Sequence, residues 1–125
     1  MKLNIKPDCG NSPKREFVKN LTILFASYEL EKAMEYMDDA VIWTLVGDKP
    51  IMGKKEFKAE LEKMRENKAT ELTIHGIITH GKEAAINGEM KMTDGTVFGF
   101  SDFYEFTSAK GSKVKAITSY VVQKK

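Results

Sequence analysis

The chain has 125 residues, 42% of them apolar and 30% charged, which suits one compact domain of roughly 14 Å radius of gyration and excludes a disordered chain. Lysine and arginine total 20 against 18 acidic residues, so a net charge of +2 excludes the broad basic field of a nucleic-acid binder. Residues 1–12 read as an irregular leader, and residues 13–123 as the single domain. Ser12 before Pro13 starts a helix, with a hydroxyl to cap it and a φ already helical. Phe17, Leu21, Leu24, Phe25 and Tyr28 then recur at helical spacing. After a bend near Ser27, Leu30, Ala33, Met34 and Met37 continue as a second short helix. Residues 40–46, Ala-Val-Ile-Trp-Thr-Leu-Val, are β-branched and aromatic and end at Gly47, which predicts a strand. Pro50 to Gly53 is a brief extended piece. Lys54 to about Asn67 returns to helical spacing, with Phe57, Leu61 and Met64 on one face. Four strands follow, over roughly 71–80, 83–92, 96–107 and 113–123, separated by Gly81-Lys82, Asp94-Gly95 and Lys110-Gly111-Ser112 as hairpin turns. Helices segregated from an antiparallel meander predict an α+β fold, with one sheet curling around the helices.

The first ten residues carry charges and Pro7 where a signal peptide needs an apolar run, and no window approaches the ~18 apolar residues of a membrane span. Cys9 is the only cysteine, so an intrachain disulfide is excluded and a reducing, cytoplasmic setting is expected.

Three segments carry a resemblance: Tyr36-Met-Asp-Asp-Ala-Val-Ile-Trp-Thr-Leu-Val-Gly47, Pro50-Ile-Met-Gly-Lys-Lys-Glu-Phe57, and Asp102-Phe-Tyr-Glu-Phe106 with the following Val114-Lys-Ala-Ile-Thr-Ser-Tyr120. In this order and spacing, over residues 13–123, the sequence resembles the nuclear transport factor 2-like superfamily, which includes ketosteroid isomerases, SnoaL-like polyketide cyclases and limonene epoxide hydrolase. The resemblance implies helices packed in the concave face of a strongly curved mixed sheet, a cystatin-like cone, around an apolar pocket without metal or other cofactor. It also implies pairing of two copies through the convex sheet face.

Asp102 falls where ketosteroid isomerases keep a protonated aspartic acid. An apolar setting favours the neutral carboxyl, and ketosteroid isomerase is the established example. Phe98, Phe100, Tyr104 and Phe106 share the parity of Asp102, so an unbroken strand surrounds the carboxyl with rings. The family's other acids do not carry over: Thr44 stands at the isomerase base position, and Ser119 replaces the acid of the last strand. Whether the chain is an enzyme therefore stays open.

His75 is a candidate base beside Asp102 and Tyr104. His75 and His80, five apart on one strand, are expected on opposite faces and therefore not as a shared metal site. Trp43, Thr44, Tyr28, Met52, Phe57, Phe98, Phe100, Phe106 and Ser119 are candidate ligand contacts, with Trp43 equally placed to serve a subunit interface. Three functions stand side by side: an acid–base isomerase, dehydratase or cyclase acting on a small hydrophobic molecule, a non-catalytic small-molecule binder, and a dimeric scaffold.

Overall fold

The computed structural model describes residues 1–6, 12–66, 68–109 and 113–124. Cys9 and the turn at Lys110, Gly111 and Ser112 lie outside these residues. The elements run β1 (Lys2–Ile5), α1 (Pro13–Ala26), α2 (Leu30–Met34), β2 (Met37–Leu45), β3 (Ile51–Met52), α3 (Lys54–Lys63), β4 (Ala69–His80), β5 (Glu83–Met92), β6 (Val97–Phe106) and β7 (Val114–Lys124). All seven strands join one curved, unclosed sheet in the order β1-β4-β5-β6-β7-β2-β3. β1 runs parallel to β4 and β2 parallel to β7, while the remaining pairs are antiparallel. The α+β architecture expected from the sequence is the one observed.

The first correction lies at the start of the chain. Residues 2–5, read as part of an irregular leader, form an edge strand on β4, with Leu3 opposite Leu72 and Ile5 opposite Ile74. A second concerns Met37, which continues no helix: it opens β2 and is 1% exposed. Ser12 precedes α1 but its side chain makes no capping bond; Pro13 and the Glu16 amide on the Ser12 carbonyl (3.1 Å) start the helix.

The buried stripe of α1 is Val18, Leu21, Thr22 and Ala26; it shares Leu21 with the stripe drawn through Phe17, Leu21, Leu24, Phe25 and Tyr28 and otherwise lies one position round from it. Thr22 can be buried because its hydroxyl donates to the Val18 carbonyl one turn back (2.9 Å), which removes the cost of an unpaired donor. The bulky rings splay to either side of that narrow stripe: Phe17 packs on Tyr36 and Phe106, and Phe25 on Phe57.

Two irregularities decide which side chains face inward. The β2–β7 register slips between Met37 and Ile42, where the Asp38 carboxylate accepts the Ala40 amide (3.0 Å). Beyond the slip Val41 and Trp43 point into the core. In β4 the register slips between Ile74 and Gly76, leaving His75 as the extra residue. The inward set changes there from even positions (Leu72, Ile74) to Ile77, because an inserted residue inverts strand parity.

Candidate functional site

A cavity of about 290 Å³ lies between the helices and the concave face of the sheet. That is near the lower end of the ~300–1,000 Å³ typical of small-molecule sites. Its walls follow from the register. One cross-strand row runs Ile77–Ile86–Asp102–Ser119–Leu45 on the concave side. Asp102 thus sits near the middle of the sheet, with Phe100 and Tyr104 two positions to either side of it on β6.

The opposite wall comes from the helices. Gly53, at φ 94°, turns the chain from β3 into α3, and its carbonyl accepts the Phe57 amide (3.0 Å). Phe57 is thereby buried against Trp43, ring centroids 5.1 Å apart, and against Phe25 at 5.7 Å. Thr22, Phe25 and Ala26 of α1 complete this side, and Met90, Met92, Phe98 and Val121 extend the sheet side toward the opening.

Polar groups are few and connected. The Trp43 indole Nε1–H donates to the Ser119 hydroxyl (3.1 Å), and Ser119 in turn hydrogen-bonds the Asp102 carboxyl. Since Ser119 accepts from Trp43, its own proton is free to donate to Asp102. Burial among aromatic and aliphatic groups nevertheless dominates and pushes the Asp102 carboxyl up to about 6, with the Ser119 bond pulling the other way. Beside it, the Tyr104 phenol is held above its ordinary value by burial and by the nearby Asp102 charge, and so stays protonated. Its oxygen lies 3.5 Å from the Thr22 hydroxyl.

Eight of the sequence candidates therefore line one cavity: Asp102, Tyr104, Trp43, Tyr28, Phe57, Phe98, Phe100 and Ser119. Four do not. His75 is exposed on the β4 bulge, which removes it from the cavity, and His80 is exposed as well rather than facing the opposite way. Thr44 lies on the convex row Ile78–Ala85–Phe103–Thr118–Thr44. Met52 is 67% exposed on the two-residue edge strand β3. Phe106 is buried deeper than the cavity, stacked on Tyr104 with centroids 6.3 Å apart. Sequence reasoning missed Thr22, whose signal was a lone hydroxyl within an apolar helical stripe. It named Ser119 as a ligand contact in place of a lost acid, whereas Ser119 also bonds the acid that remains.

Residues 17–123 match the model of the SnoaL-like domain. The chain belongs to the SnoaL-like family. No curated protein matches it. Among solved structures, this SnoaL-like domain is similar to a nuclear transport factor 2-like protein of unknown function from Cytophaga hutchinsonii (20% identity, 86% of this chain and 98% of the other, TM-score 0.69). It is also similar to a putative SnoaL-like polyketide cyclase from Shewanella denitrificans (9%, 89% and 92%, 0.72) and to an LEH-like epoxide hydrolase of M. tuberculosis (15%, 86% and 81%, 0.71). At these identities the likeness is one of fold, which hosts many chemistries. No helix among the described residues of the SnoaL-like domain is long and apolar enough to cross a membrane.

One prediction follows from the hydrogen-bond chain. Because Ser119 stabilises the charged form of Asp102, Ser119→Ala should move that carboxyl's titration above about 6. Carboxyl-carbon NMR over pH 4–9 measures it, and an unchanged or lower midpoint would show that Ser119 does not donate to Asp102.

Proposed function

We propose that the cavity takes up a small, flat, mostly apolar molecule and that Asp102 exchanges a proton with it, without a cofactor. The observation that carries this reading is a single carboxyl, raised to about 6, in a mostly apolar wall. A group poised near the working pH is suited to general acid–base catalysis. Above about 6 the carboxylate accepts a proton from a carbon next to a carbonyl. The protonated Tyr104 phenol is close enough to Asp102 to feel its charge, and would donate a hydrogen bond to the oxygen on which negative charge develops.

Among the described lining residues there is one carboxyl and no histidine. One group that removes a proton and returns it elsewhere on the same molecule suits an isomerisation better than a dehydration that needs a separate acid and base. A non-catalytic binder would use the same cavity and is separated from an enzyme by turnover alone.

The test is a thermal-shift panel of steroids, terpenoids, aromatic polyketides and phenolic acids. A ligand at 100 times its Kd stabilises the fold by about 2.7 kcal/mol, several degrees for a domain of this size. Silence across soluble members of all four classes would sink the ligand-binding reading.

A specific observation also favours self-pairing. The convex face exposes Ile78 (72%), Phe103 (50%), Tyr120 and Val122 (69%), with the Phe103 and Tyr120 rings in edge contact at 5.8 Å. We propose that a second copy covers this face. Sedimentation velocity should then give a dimer that Phe103→Glu converts to monomer; a wild-type monomer at 100 μM would end the idea.

A further inference from the structure

Tyr28 stands where a helix ordinarily ends on glycine. Ser27 caps α1, after which the Tyr28 amide donates to the Phe25 carbonyl (3.1 Å) and the Glu29 amide to the Leu24 carbonyl (2.9 Å). This pair of bonds requires a left-handed residue between them. Tyr28 takes that conformation at φ 59°, and among the described residues no other non-glycine does. A residue with a Cβ is strained there and glycine is not. Backbone strain of this kind persists where the side chain serves a function.

The side chain of Tyr28 does have a place to serve. It lines the cavity, half-buried, as does Met64, which is 39% exposed. Its hydroxyl makes no hydrogen bond to any of the described residues. Burial raises its pKa, a shift that the Arg65 charge only partly offsets, so the proton stays on. A protonated phenol that lines the cavity without a protein acceptor is a donor open to a ligand.

Its position past the end of α1 sets it apart from the inner polar groups. Thr22, against Tyr104, marks one polar end of the cavity, and the helix runs about 6 Å further to Ala26 before the left-handed turn that carries Tyr28. We propose that Tyr28 is a specificity-determining residue that donates to an acceptor on the outer end of the ligand. The cavity then selects flat apolar molecules with a polar atom at each end over those with one, an inference that rests on the ligand-binding reading above.

The test compares 2-naphthol with 2,6-dihydroxynaphthalene by calorimetric titration of the wild-type protein and Tyr28→Phe. The wild type should prefer the diol about two- to tenfold, the worth of one hydrogen bond. Tyr28→Phe should abolish that preference and leave 2-naphthol affinity within about twofold. Equal wild-type affinities, or a preference that survives Tyr28→Phe, would overturn the inference while leaving the cavity a binding site. Failure of both naphthols to bind would overturn the inference, whereas only silence across the whole thermal-shift panel would overturn the ligand-binding reading itself. Tyr28→Gly supplies a readout free of ligand: relief of the left-handed strain should keep its melting temperature at or near the wild-type value. A fall of more than about 5 °C would make the ring a packing residue and overturn the proposal.

Discussion

Asp102→Asn should melt several degrees above the wild-type protein at pH 7.5 and should lose whatever turnover the cavity supports. The sign follows from proton linkage. Burial raises the carboxyl from an ordinary 3.8 to about 6, so between those values the folded state holds more protons than the unfolded one. Stability therefore falls as pH rises through that window, and above it the ionised carboxylate costs up to about 3 kcal/mol. Asparagine accepts the Ser119 hydrogen bond without carrying the charge, and so avoids that cost. Below pH 4 the two proteins should melt alike. Loss of a general acid or base slows a reaction by about 10²–10⁴-fold. For a reaction in which Asp102 is the base, kcat/KM in the wild type should climb with pH and level off above about 6. Calorimetry of both proteins from pH 3.5 to 8 measures the stability claim. An asparagine variant less stable than the wild type at pH 7.5 would show that the carboxylate is adequately solvated, and the acid–base reading would lose its basis.

The second large effect is expected at Gly88. It faces Ile74 on β4 and Phe100 on β6, and a Cβ placed on it would lie 2.0 Å from the Thr73 carbonyl oxygen and 3.1 Å from the Phe100 ring. The ring could swing, but the carbonyl belongs to the strand next to the His75 bulge and moves only with the backbone. Gly88→Ala should therefore cost about 3 kcal/mol or more, a large share of the ~5–15 kcal/mol that holds a domain together. Urea unfolding at pH 7 should show the midpoint falling with little change in slope. A loss under about 1 kcal/mol would mean that β4 and β5 part easily at this point. If the variant folds, the displaced Phe100 should narrow the cavity and weaken ligand binding.

Most of the sheet was legible because its turns are chemically marked. Gly81 and Gly95 occupy positive φ, and the strands they separate fall within two residues of the expected ranges. Alternation then correctly grouped Phe98, Phe100, Asp102 and Tyr104, because β6 is regular along its whole pairing with β5. Where alternation failed, the cause was a bulge. The extra residue at 75 sends His75 to solvent, and the slip before Ile42 leaves Trp43 inside and Thr44 outside. No local pattern signals either slip, since each is fixed by a partner strand far away in sequence. β1 escaped notice for a related reason: a four-residue run that opens on Lys2 and is followed by Lys6 becomes a strand only by lying along β4. The strain at Tyr28 was equally hidden, because a bend near Ser27 can be inferred from composition but the handedness of the next residue cannot.

The parallel pairing of β2 with β7 also bears on how the protein comes into being. The bond from Trp43 to Ser119 spans 76 residues. During synthesis at ~5–20 residues per second, roughly 4–15 s separate the emergence of its two ends. Throughout that interval β2 lacks the strand that completes its inner side, and Val41, Trp43 and the helices packed on them have no closed core to enter. The cavity is thus assembled last, by a pairing of high contact order that places folding of the finished chain toward the millisecond-to-second range. Until β7 arrives, the nascent chain offers an unpaired strand edge beside exposed aromatic rings, the combination most in need of a chaperone.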